Sequence, residues 1–124
     1  MNIKKYCKDL LSASSELTAK LGSGKILSAY PQEVKIFPCV IYEEQSMIDS
    51  AFSDNLPEGT NCSVRVHIFT KTVANFPTTN EIGEIVHSIF RNDYWAMTAN
   101  NETSDVDDNI KHRIMDFQRG FYSL

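Results

Sequence analysis

Three histidines, three cysteines and sixteen carboxylates are the side chains of this sequence that could carry chemistry. Metal-assisted hydrolysis would need His67, His87 and His112, or two of them with Asp107, to converge on one ion. Nucleophilic catalysis would need Cys7, Cys39 or Cys62 in an electropositive setting. The spacings supply neither arrangement: there is no H-x-x-x-H, H-E-x-x-H or C-x-x-C pair and no G-x-S-x-G elbow. Asp105, Asp107 and Asp108 lack the sixth-position glycine and twelfth-position glutamate of a calcium loop, so a solvated turn is the expectation. Gly22-Ser23-Gly24-Lys25 follows a helical pattern and precedes a strand, the reverse of a phosphate loop, and reads as a helix stop. The cysteines read as reduced, buried thiols, His87 as a helix-flank residue and His67 as an exposed imidazole on a polar strand face. An enzyme is thereby disfavoured, and no cofactor or metal is expected. The catalytic alternative is a small metal-dependent enzyme built on His67, His112 and Asp107.

Those residues sit in a chain of 124 residues and 14.1 kDa with 42% apolar and 23% charged side chains, which is one domain over 1–124 with its own core. A net charge of -4 sets up no positive field, which argues against nucleic acid and anionic membranes as partners. No apolar run approaches the ~20 residues that span a bilayer, and no leader pattern follows the first residues, so a cytosolic location is expected.

Apolar residues at Ile3, Tyr6, Cys7, Leu10, Leu11, Leu17 and Leu21 predict one helix over about 2–21. A strand follows from Lys25 to Tyr30, ended by Pro31, and a second from Cys39 to Gln45. From Thr60 to Thr70 the chain alternates, with Cys62, Val64, Val66 and Ile68 opposite Ser63, Arg65, His67 and Phe69, which predicts a strand with one buried and one wetted face. Thr78-Thr79-Asn80-Glu81 fits a capping box ahead of Ile82, Ile85, Val86, Ile89 and Phe90, predicting a helix over 79–91. Strands are expected at Tyr94–Met97 and Ile110–Tyr122, separated by a polar turn over 100–109. Gly120 marks either a bulge or a close backbone approach. The order predicts an α+β two-layer fold: a mainly antiparallel sheet of four to five strands with two helices packed on one face.

Two segments remain outside this frame. The interval 46–61 reads as a long loop whose Met47, Ile48, Phe52 and Leu56 either cover the core edge or await a partner. From Glu43 to Glu58 there are five acids and no base, and Asp93 to Asp108 holds five more with no Lys or Arg. The first 25 residues carry Lys4, Lys5, Lys8, Lys20 and Lys25 against Asp9 and Glu16. Such segregation is either ordinary solvated surface or a head-to-tail contact between copies.

The strings Ile26 to Pro31, Pro38-Cys39-Val40-Ile41-Tyr42-Glu43, Asp54-Asn55, Val64-Arg65-Val66-His67-Ile68-Phe69-Thr70-Lys71, Ile82 to Phe90 and His112 to Phe121, in this order, resemble the tail terminator, or tail-to-head joining, proteins of long-tailed bacteriophages and defective prophages. The resemblance covers about 26–122, and Cys39 departs from the aromatic or aliphatic residue usual there. It implies a non-enzymatic virion assembly protein, a ring of copies, expected to be a hexamer, that caps the tail tube and meets the head connector. Its implied partners are other copies of itself, the tail tube protein and head connector or adaptor proteins, first in the host cytoplasm and then in the virion. The loop 46–60 and the turn 100–109 would then supply the contacts, through Met47, Asp49, Phe52, Asp54, Asn55 and Glu58 and through Asp105, Asp107 and Asp108. Head-completion or adaptor proteins of the connector, and a host-interaction or regulatory module, are the non-catalytic alternatives.

Overall fold

A computed structural model describes residues 2–22, 24–28, 34–53, 56–103 and 109–122, with backbone alone for 50–53 and 56–58. Where one N-terminal helix is expected, the chain forms two, α1 (Ile3–Ser12) and α2 (Ser15–Leu21). Ser14 causes the break: its extended backbone makes it an N-cap whose side-chain oxygen accepts from the Leu17 amide at 3.1 Å. The serines lower helix preference, and one of them ends the helix by competing for backbone donors. Gly22 then closes α2 with a φ of 61°, as the helix-stop reading requires.

Strands β1 (Lys25–Leu27), β2 (Cys39–Ser53), β3 (Leu56–Lys71), β4 (Ala96–Thr103) and β5 (Ile110–Tyr122) form one sheet in the order β1-β2-β3-β5-β4. Only the β1–β2 pair is parallel, so the fold is the expected two-layer α+β with a mostly antiparallel sheet, carrying three helices rather than two among the described residues. The third is α3 (Thr79–Asn92), where half of the expected capping box forms: Thr78 Oγ1 accepts from the Glu81 amide at 3.1 Å. The Glu81 carboxylate, expected to reach back to Thr78, instead lies 3.1 Å from Lys20 Nζ of α2.

The helices cover one face of the sheet. Val40 and Tyr42 from β2, Val64, Val66 and Ile68 from β3, and Met115 and Phe117 from β5 pack there against Ile3, Cys7, Leu11, Ile82, Val86 and Phe90. Each fully buried large apolar side chain contributes about 1.5–3 kcal/mol. Phe90 is the centre of an aromatic group, stacked on Phe117 at 4.3 Å and edge-on to Trp95 at 5.4 Å.

Two expectations fail here for identifiable reasons. The strand placed at 94–97 begins at Ala96, because Tyr94 has a left-handed φ of 69° and belongs to the end of α3. It then runs to Thr103, through residues expected to form a turn. The loop placed at 46–61 is a β-hairpin, whose pairs run from Met47↔Cys62 to Ser53↔Leu56. A register shift between Glu44 and Ser46 hides it in the sequence. The extra residue at Gln45 breaks the two-residue period, so Met47 comes to the face of Cys62 rather than the opposite one. Gly120 resolves as a close approach: it sits opposite Asn61 in unbroken register, and a Cβ there would lie 3.0 Å from Asn61 Oδ1.

Candidate functional site

The hairpin end of the sheet gathers exposed apolar surface that the core does not use. Beyond Tyr42 no described strand flanks β2, which leaves its outer edge unpaired among the described residues. Met47 on the helix-side face and Ile48 on the other are 38% and 61% exposed, and Asp49 beside them is exposed. Tyr122, opposite Gly59, is 68% exposed. Of the interface candidates from sequence, Met47 and Asp49 lie together here. Phe52 and Glu58 fall where the backbone alone is described, and Asp54, Asn55, Asp105, Asp107 and Asp108 lie outside the described residues.

Tyr94 joins this end and was missed by the sequence reading. The Tyr94 amide donates to Arg91 O at 3.0 Å and the Trp95 amide to Phe90 O at 2.9 Å, the paired bonds of a Schellman helix end. That motif favours glycine in the left-handed position, where an L side chain costs roughly 1–2 kcal/mol. A tyrosine stands there with 83% exposure. Beneath it, Arg119 Nη1 donates to the Asp93 carboxylate at 2.8 Å, to the Asp93 carbonyl at 2.7 Å and to the Tyr6 hydroxyl at 2.9 Å. Tyr6 donates in turn to Asp93 Oδ2 at 2.6 Å, and Trp95 Nε1 does so at 3.1 Å. The Arg119 guanidinium lies over the Phe121 ring at 4.2 Å. This network ties α1, the α3–β4 junction and β5 into a rigid base for the exposed residues.

The face of the sheet away from the helices holds two of the three histidines, His87 being on α3. His67 and His112, 7% and 8% exposed, meet with His67 Nδ1 and His112 Nε2 at 2.9 Å, and Phe69 stacks on His112 at 4.0 Å. His67 is therefore buried rather than exposed as expected. The apolar residues around it explain this: Cys39, Ile41 and Phe69 form a second small core, packed by Val34, Phe37 and Ile110. Glu43 Oε1 approaches His67 Nε2 at 2.5 Å, and Arg65 grips Asp116 through two bonds of 2.8 and 3.2 Å. Burial pushes the His67 pKa down, against the pull of the Glu43 charge. Its strand alternation hinted at none of this, although Phe69 on the same face signalled that the face could not be wholly wet.

These groups are engaged with one another and bring no nucleophile with them. Among the described residues no set of three or more His, Cys, Asp or Glu is arranged to hold a metal ion. His67 and His112 do meet, but their facing nitrogens are taken up by each other. The thiols are free and buried; burial pushes Cys7 up to about 12 and Cys39 to about 11, which suits packing and not nucleophilic attack.

At the opposite end of β3 lies a cleft of about 500 Å³ between the start of α3 and the ends of β3, β4 and β5. Val73, Phe76 and Pro77 supply its apolar wall, and Lys71, Lys111 and Arg113 its cations. Arg113 donates to Thr79 Oγ1 and Asn100 Oδ1 and stands opposite Glu102 in the β4–β5 register.

No family model matches the sequence, and no curated protein matches it. Among solved structures, a chain of a structure described as the virion of a native gene transfer agent particle matches with a TM-score of 0.62. The match covers 98% of this chain and 95% of that one at 9% sequence identity, so the architecture is what the two share. No helix among the described residues is long and apolar enough to cross a membrane.

Proposed function

We propose that this chain is a structural protein of a phage-like particle, assembling with further copies into a ring that caps the tail tube and joins it to the head connector. The observation that carries the reading is the end-to-end correspondence of its architecture with a chain of a gene transfer agent virion. The hairpin end supports it independently. Met47, Ile48, Tyr94 and Tyr122 expose apolar surface around one end of a sheet whose outer edge is unpaired there among the described residues, the surface of a protein that completes its burial against others. The expected ring is a hexamer, its neighbours are the tail tube and connector proteins, and its place is the host cytoplasm before the virion.

The structure changes how this is tested. Excising 47–58 would remove paired strand, so the sharper probe is the double substitution Met47→Lys with Ile48→Lys, on side chains the core does not hold. The variant should fold, while heads and tails accumulate unjoined in cells producing the particle. Joined, infectious particles at the wild-type yield would reject the assignment of this end to assembly.

A further inference from the structure

We infer that the hairpin end of one copy seats in the cleft at the opposite end of a second copy, so that acidic and apolar residues of the arm meet cationic and apolar residues of the cleft. The inference rests on the ring reading above and names the surface that receives the arm. Two properties of the arm are on the page. From Glu43 to Glu58 it carries five acids and no base, and Met47, Ile48 and Asp49 project from it exposed. The cleft offers the complement: Val73, 48% exposed, with Phe76 and Pro77, rimmed by Lys71, Lys111 and Arg113.

The positive rim is not cancelled within the described residues. Glu102 offsets Arg113, which it faces across β4 and β5, but Lys71 and Lys111 are in no ion pair there. Lys71 lines the cleft but carries its ammonium over the Phe37 ring at 4.8 Å, on the side of the second core, which leaves Lys111 as the cation of the rim with no ion pair there. Two lysines of the helix layer are already engaged, Lys5 3.5 Å from Asp9 and Lys20 3.1 Å from Glu81.

Geometry requires two copies. Asp49 is paired with Thr60 and the cleft starts at Thr70, and at strand rise those two positions of β3 are about 33 Å apart. An arm therefore cannot reach the cleft of its own chain. A contact between two different surfaces is heterologous, and it closes into a ring when the rotation between copies divides a full turn. The cleft volume admits a few side chains, which matches the short exposed stretch Met47 to Asp49 better than a whole face.

The test is sedimentation velocity of the full chain over a concentration series to about 1 mM, with Asp49→Lys, Lys111→Glu and the double variant carrying both. Each single exchange puts like charges together and should weaken self-association about tenfold or more, the equivalent of about 1.4 kcal/mol per contact. The double exchange restores opposite charges at every contact and should recover association to within about threefold of wild type. Circular dichroism of each variant confirms that it is folded before it is scored. Wild-type association that ignores both single exchanges, or a double variant no better than the singles, overturns the arm-in-cleft contact and leaves the ring standing. A wild-type chain that stays monomeric throughout the series overturns the contact. If that chain is also absent from assembled particles, the connector reading fails with it.

Discussion

The same two strands, β2 and β3, build the best-buried and the most exposed parts of the molecule. At Val64, Val66 and Ile68 the β3 side chains lie under the helices and are 0–2% exposed. Past Gln45 the β2–β3 pairing continues, and Met47 and Ile48 stand out into solvent although Cys62 opposite Met47 is still in the helix-side core. The β2–β3 ladder runs through both regions, across the register shift at Gln45, and side-chain cover is what differs most between them. A sheet extended beyond its core in this way keeps a surface rigid while leaving it unsatisfied, and rigidity lowers the ordering cost of binding. That teaches where stability and function should part company under mutation.

The largest effect should come from the covered half. Phe90→Ala removes a fully buried ring stacked on Phe117 and edge-on to Trp95 and should cost about 3–5 kcal/mol in urea unfolding. A cost below about 1 kcal/mol would mean that the helix layer is not what holds the sheet. Next in size is Arg119→Ala at the junction of the two regions. It strips the Asp93 carboxylate of a charged donor in a half-buried site, and should cost about 1–3 kcal/mol in the same assay.

How much of this could be read beforehand follows the same division. The α+β class, α3 with its cap and β5 from Ile110 to Tyr122 were legible because each obeys one period throughout and ends on a recognised signal. The hairpin was not, because the bulge at Gln45 shifts the two-residue period that marks a half-buried strand. The pairing of His67 with His112 needs strands β3 and β5 in register, forty-five positions apart, and no local spacing encodes it. Of the interface residues, Met47 and Asp49 could be singled out by composition, whereas Tyr94 required knowing that its backbone is left-handed.

Smaller effects sharpen the contrast further. Tyr94→Gly should stabilise the free chain by about 1 kcal/mol, since glycine adopts the left-handed position without strain. It should at the same time weaken assembly, because the exposed ring is lost; a variant less stable than wild type would show that the ring packs at home. The His67 pKa lies below its ordinary value in the folded chain, so the unfolded chain takes up a proton first as pH falls. Stability should therefore be full above about pH 6.5 and decline below it until the folded pKa is passed. His67→Gln should flatten that decline in unfolding curves between about pH 7 and pH 5.

The smallest expected change in stability is the most telling. Ile48→Asp alters a side chain 61% exposed on the open face, opposite Asn61, where no core residue loses contact. Its unfolding free energy should stay within about 0.5 kcal/mol of wild type, the range of ordinary surface substitutions. On the proposed assembly role, joining of tails to heads should nevertheless fall steeply, because a charge would replace an apolar group at a contact to be desolvated. The two readouts move independently only if the hairpin end serves other molecules rather than its own core. A loss of several kcal/mol on Ile48→Asp would instead place Ile48 in the fold's own burial, and the division between the two halves of β2 and β3 would dissolve.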